Sequence, residues 1–284
     1  MAMAAECHGH IFLDGVDLRR ASALHRGGPR EDVIRARLAA LAAAGVTHYR
    51  DGGDPFGVTL LAARLAPEYG IDYRTPAFAI HRRGAYGAAF GQSYETLPEL
   101  AALVARAAEA GADFIKVMVS GLMDFAKGGA VTPGGPTGEE LEKLCRLARR
   151  EGLAVMAHVN GPARIALALE AGVSSVEHGY GMDAHCLALL REKGAFWVPT
   201  LTPVANLLGR GLFPDAVLQG ILDRQYAALR QAAALGVSVA CGSDAGAGCV
   251  PPAEGFRQES ASLAALGVEH AGADAALFSR FKHR

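Results

Sequence analysis

Short apolar runs alternate with Ala/Leu-rich stretches along most of the chain, and each run ends in Gly, Asp, His or Pro. Runs of this length bounded by breakers read as buried strands. Their regular alternation with longer stretches of helical period reads as repeated βα units feeding a parallel sheet. The pattern predicts strands near 6–13, 46–51, 72–80, 113–120, 153–159, 174–179, 196–202 and 237–243. Helices are predicted near 31–44, 57–69, 97–110, 137–151, 161–171, 183–193, 215–235 and 255–266. Thr137 with Glu140 three residues later marks one helix start, and Gly45, Gly70, Gly111, Gly152, Gly172, Gly194 and Gly236 stand where helices stop. The expected fold is α/β, a single (β/α)8 TIM barrel over 1–284. An open doubly wound sheet or a two-domain split is the alternative, but no G-x-G-x-x-G follows the first strand and no linker-like composition break occurs.

Composition agrees with one such domain. The 284 residues are 51% hydrophobic, enough for a large core. Net charge is -1 with acidic and basic residues interspersed, so neither nucleic acid nor an acidic membrane surface is expected as a partner. No apolar run approaches the ~20 residues that span a bilayer. The opening MAMAAECHGH lacks the basic start and long apolar stretch of a signal peptide, which points to the cytoplasm. Cys7, Cys145, Cys186, Cys241 and Cys249 are an odd set without C-x-x-C spacing, read as buried free thiols. The glycine-rich segments 52–57 and 128–135 lack the G-K-[ST] ending of a phosphate loop and read as ordinary loops.

In a barrel the catalytic side chains sit at the C-terminal ends of strands. Reading those ends in order yields His8 and His10, Arg50 and Asp51, His81, Lys116, His158, His178 and Asp244. His8 and His10 stand two apart on a strand, so both imidazoles face one way and can grip one ion; alone, the pair could equally be surface or core histidines. His158 and His178 end consecutive strands, close enough to share a cation. Asp244 follows the last predicted strand, which in a closed barrel lies beside the first; in isolation it reads as a loop or cap aspartate. Lys116 lies inside the apolar FIKVMVSG. Burial favours its neutral amine, which can take up carbon dioxide to give a carbamate with two oxygens; a lysine snorkelling to the strand end is the competing picture.

Taken together in order, the H-x-H of CHGHIFLDG, the lysine of IKVMVSG, the histidines of AHVNG and EHG, and the aspartate of GSDAG resemble the amidohydrolase superfamily. The match is to members with two metals bridged by a carboxylated lysine. THYRDGG is similar to a stretch of the branch containing metal-dependent dipeptidases and imidazolonepropionase-like enzymes. The resemblance runs from about residue 7 to about 266. It implies two divalent ions: His8, His10 and Asp244 on one, His158 and His178 on the other, and the carbamate on Lys116 bridging both. Zinc suits these ligands best, with manganese, iron or cobalt also compatible. It further implies attack by a metal-bridging hydroxide on an amide-type C–N bond. The ion held by His178 polarises the carbonyl, and Asp244 moves the proton.

Arg50, His81, Arg82 and Arg83 are expected near the mouth, able to meet a substrate carboxylate, although Arg50 could instead pair with Asp51. Tyr86 and Tyr180 are candidates for contacting substrate. The expected ligand is a small molecule carrying a carboxylate: a dipeptide, an N-acyl amino acid or a cyclic amide. Members of this branch usually add a β-sandwich built from both chain ends. With H-x-H at residue 8 there is no room for its N-terminal part, so a barrel-only or trimmed form is expected, with a homo-oligomer as one means of support. Rival readings are a lactonase or phosphotriesterase on the same metals, a single-metal decarboxylase, and a catalytically silent metal-binding barrel.

Overall fold

A computed structural model describes residues 3–282. Its first strand, β1 (Ala5–Gly9), runs parallel to β2 (His48–Asp51), which runs parallel to β3 (Asp72–Arg74). The single strand expected over 72–80 is interrupted. Pro76 cannot donate to a ladder, Ala77 takes a left-handed φ of 62°, and the chain resumes as β4 (Ala79–Arg82). β4 is flanked by β5 (Gly91–Tyr94) and β6 (Phe114–Met118), and the Asp113 N–H donates to the Thr75 carbonyl at 2.7 Å across the break. A short hairpin, β7 (Met123–Asp124) and β8 (Ala130–Val131), follows. The parallel sheet then continues through β9 (Ala154–Val159), β10 (Ser175–His178) and β11 (Phe196–Val198).

The last expected strand is reduced to isolated bridges, yet it closes the ring. Trp197 bridges Val239 on one side, and Gly9 bridges Ala245 on the other. The Ala240 N–H donates to the Trp197 carbonyl at 2.9 Å, and the Cys7 N–H to the Cys241 carbonyl at 2.8 Å. The segment is thus held by β11 and β1 at once, which is what a closed (β/α)8 barrel requires.

Helices α1 (Leu18–His25), α2 (Glu31–Ala43), α3 (Val58–Leu65), α4 (Leu97–Glu109), α5 (Gly138–Arg150), α6 (Pro162–Ala171), α7 (Ala184–Lys193), α8 (Thr202–Ala205), α9 (Asp215–Leu235), α10 (Gly255–Ala265) and α11 (Ala271–Arg280) lie between and after the strands. The capping box expected at Thr137 is formed, with Glu140 bonding back to the Thr137 N–H at 2.7 Å. The helix expected over 57–69 ends at Leu65 and tightens into a 3-10 turn, Ala66–Tyr69, because Pro67 has no N–H to extend the ladder. Among the described residues no helix is long and apolar enough to cross a membrane.

Alternation along the strands sorts the core from the site. Ile115 and Val117, Val155, Ala157 and Val159, and Val176 pack outward in one cluster with helix residues such as Leu100, Leu141 and Ile165. The intervening positions face the barrel interior. At the N-terminal ends of the strands, Ala5, Cys7, Phe114, Met156, Phe196 and Val198 pack with Leu277 and Phe278 of α11 and with Phe281 just after it, which fill that end. Further along the same inward positions come Lys116 after Phe114 and His158 after Met156.

Candidate metal centre

The six expected ligands converge on one cavity of about 420 Å³ at the C-terminal ends of the strands. His8 and His10 reach it through a backbone irregularity. Glu6 pairs with Tyr49 but Gly9 with Asp51, so β1 carries one extra residue; this bulge lets Cys7 face the packed floor while His8 faces the cavity. His178 follows outward-facing Val176 and inward-facing Glu177, so simple alternation would send it outward. Its left-handed φ of 66° turns the ring inward instead, and its carbonyl is pinned by Trp197 Nε1 at 3.0 Å and Gln225 Nε2 at 2.7 Å. Asp244 at φ 57° and Thr200 at φ 48° bend in the same way. Left-handed non-glycine backbone is costly, and here three such residues border one site.

The His8 and His10 Nε2 atoms lie 3.7 Å and 3.4 Å from Asp244 Oδ1. These three side chains offer ligand atoms all within 4.8 Å of one another, close enough to hold one ion. The rings of His158 and His178 are 4.6 Å apart by centroid, and His178 is 5.0 Å from His8, so the second pair adjoins the first group.

One ring nitrogen is occupied in three of the four histidines, while His10 Nδ1 is buried without a hydrogen-bond partner among the described residues. His8 Nδ1 is 2.7 Å from Glu177 Oε2, His178 Nδ1 is 2.8 Å from Thr200 Oγ1, and His158 Nε2 is 3.2 Å from the Gly121 carbonyl. Burial and the nearby Lys116 and histidine groups hold His8 and His178 well below the usual imidazole range. Burial and the Lys116 charge push His10 and His158 down to about 3. The rings are therefore neutral. His8 Nδ1–H donates to Glu177, which leaves the Nε2 lone pair for an ion. Burial lowers Lys116 to about 8 and raises Asp244 to about 6. Lys116 makes no hydrogen bond or ion pair among the described residues, so its buried amine is free to react. Neutral imidazoles with inward lone pairs, a carboxylate and an unpartnered amine are a donor set that fits divalent metal.

Of the residues expected to read substrate, only Tyr86 and Tyr180 line the cavity; Tyr86 stacks obliquely 4.9 Å from the His158 ring. Arg50, expected at the mouth, lies beneath the site at an inward strand position. Its guanidinium is fully buried, donating to both Glu177 oxygens at 2.8 Å, to Ser175 Oγ at 3.0 Å and to the Cys7 carbonyl at 2.6 Å. Its partner is Glu177 rather than Asp51, which instead accepts from the Ile11 and Gly53 N–H groups and the Tyr73 hydroxyl. His81 is buried against the Arg82 carbonyl, Arg82 pairs with Glu140 and Arg83 with Glu95; none of the three lines the cavity. Glu177 and Thr200 were not singled out from the sequence. Glu177 carried a signal, a carboxylate at an inward strand position beside a candidate ligand.

A closed (β/α)8 barrel with a histidine, lysine and aspartate cluster at its C-terminal end defines the class. The Amidohydrolase family model matches residues 29–280, and the chain belongs to that family. It is similar to ochratoxinase of Aspergillus niger, 35% identical over 144 residues that cover 49% of this chain and 30% of that protein. An uncharacterized protein of Mycobacterium tuberculosis is 30% identical over 167 residues, covering 57% of this chain and 44% of that one. The matches thus span less than half the length of these relatives. Among solved structures, a Xaa-Pro dipeptidase with bound methionine has a TM-score of 0.77 at 20% identity, covering 99% of this chain and 76% of that one. The structure of the A. niger ochratoxinase has a TM-score of 0.77 at 22% identity, covering 99% and 72%. At these identities the structural likeness speaks for the fold.

Proposed function

We propose that this chain is a metal-dependent hydrolase that cleaves an amide-type C–N bond of a small molecule. The observation that carries this reading is the convergence of His8, His10, Lys116, His158, His178 and Asp244 on a single cavity. Two divalent cations, zinc being the best match to these ligands, would supply charge that ionises water near neutral pH and polarises a carbonyl. His8, His10 and Asp244 would hold one, His158 and His178 the other. Lys116, as a carbamate, would present an oxygen to each.

The chain's own groups account for the proton. Asp244, raised to about 6 by burial, sits where a carboxylate can take a proton from water and return it to a departing nitrogen. Glu177, which can only accept, holds the His8 ring as the Nδ1–H tautomer the reaction needs, and Thr200 orients the His178 ring. Membership of the Amidohydrolase family supports hydrolysis of an amide-type bond.

The test is metal analysis of protein purified without chelator, alongside assays on amides, lactones and phosphotriesters. Two metals per chain, amide turnover and its loss in Asp244→Asn are expected. Full metal occupancy with no turnover anywhere in the panel would overturn the reading, and faster lactone turnover would reassign the bond.

A further inference from the structure

The cavity wall says which substrate it suits. Beyond the six candidate ligands, Asp17 is the one charged group among the described residues that line it, and Asp17 is already committed as the cap of α1, accepting from the Arg19 and Arg20 N–H groups at 2.7 Å and 3.0 Å. The cations that might have met a carboxylate are spent elsewhere. Arg50 is beneath the floor on Glu177, Arg20 is on Asp14, Arg82 is on Glu140, and Lys127 is 3.5 Å from Asp124. None of these four lines the cavity. Its wall and lip are instead apolar, including Val16, Leu18, Phe90, Leu122 and Phe125. Val16 is 75% exposed, Leu122 47% and Leu18 43%, so three of the six exposed large hydrophobic side chains among the described residues stand at this one opening.

Scattered exposed leucines need no explanation, whereas exposed apolar groups gathered at the mouth of a buried polar site mark where an apolar ligand enters. A free carboxylate entering here would lose its water beside Asp17 and gain no dedicated cation. An aryl or alkyl group would bury surface on both sides.

Resting on the hydrolase reading above, we propose that the site takes an uncharged amide whose aryl or branched alkyl group lies against the Val16, Leu18, Leu122 and Phe125 lip. The substrate class is a neutral hydrophobic amide rather than an amino-acid conjugate with a free carboxylate. In the reaction, water adds its oxygen to the acyl carbon and the C–N bond breaks. The nitrogen leaves with a proton from that water, giving a carboxylic acid and an amine with no oxidant or other co-reactant.

The experiment compares butyryl para-nitroanilide with para-butyrylaminobenzoate, which differ chiefly in replacing a neutral nitro group by a carboxylate. Binding is measured by calorimetry on zinc-loaded Asp244→Asn protein and turnover on zinc-loaded native protein. The neutral member is expected to bind at least tenfold more tightly. Leu122→Arg, an exposed substitution, is expected to reduce that preference at least tenfold. Tighter binding of the carboxylate, equal binding of the two, or no binding of either up to the solubility limit would overturn the proposal. Tighter binding of the neutral member without turnover of any amide would leave the substrate class standing and overturn the hydrolase reading. Turnover favouring the carboxylate would do the reverse.

Discussion

Glu177 Oε2 lies 2.7 Å from His8 Nδ1, and the same oxygen accepts Arg50 Nη2 at 2.8 Å, so one buried carboxylate joins a candidate metal ligand to a buried guanidinium. The His8 ring is fixed in orientation and tautomer by a residue that is not itself a candidate ligand. Such partners typically contribute tenfold to a hundredfold in metal affinity. Glu177→Gln is therefore expected to weaken metal binding by about that factor, read by competition with a chromophoric chelator. It also leaves Arg50 short of its counter-charge, and breaking a buried pair costs about 3–5 kcal/mol. Urea unfolding of the metal-free protein should show a loss of that order, and an unchanged midpoint would contradict the role given to the pair.

Gly52 makes room for His10. A Cβ at this position would fall 2.1 Å from His10 Cε1 and 2.8 Å from its Nε2, so Gly52→Ala must displace the ring from its present position. Since the clash is with the end of a side chain, the barrel should survive. The expected result is native-like circular dichroism with at least tenfold weaker metal binding, roughly the scale of losing a ligand's orientation. Native metal affinity in this variant would show that His10 is not a ligand.

Lys116 is buried, has no hydrogen-bond or ion-pair partner among the described residues and is lowered by burial to about 8. Carbamate formation needs the neutral amine, whose fraction grows as pH rises through that value. Isotope-labelled bicarbonate should give a carbamate resonance in zinc-loaded protein that is absent in Lys116→Ala. That variant should also lose bound metal.

The metal-free protein should be acid-sensitive. His10 and His158 are held at about 3 against an ordinary 6.5, so between those values the unfolded chain binds protons that the folded chain refuses. Stability is then fully present above 6.5 and is lost as pH falls towards 3, at up to about 1.4 kcal/mol per pH unit for each histidine. His10→Phe should flatten that slope by about one histidine's share, measured by urea unfolding across this range.

The barrel and the ligand set were largely legible because both rest on local pattern. Short apolar runs, glycine stops and the identities of His8, His10, Lys116, His158, His178 and Asp244 are visible in local windows of the chain. The third strand was misjudged in length because its apolar composition continues through Pro76 and Ala77, where backbone geometry breaks the ladder. Arg50 was misplaced for a related reason. A cation near a strand end reads as mouth-facing, but it is an inward position whose partner, Glu177, is 127 residues away.

From the sequence alone come the βα repeat and the types and order of the candidate metal-binding side chains, because hydrophobic period and residue chemistry are properties of neighbouring positions. The tertiary structure alone decides the rest. A bulge in β1 and a left-handed turn at His178 aim two rings that alternation would misdirect. Closure of the 237–245 segment onto β1 brings Asp244 to His8 and His10. The Glu177 and Arg50 pairing removes a cation from the mouth and leaves an apolar lip. These are matters of backbone torsion and long-range ring closure, which bring together residues that no local window contains.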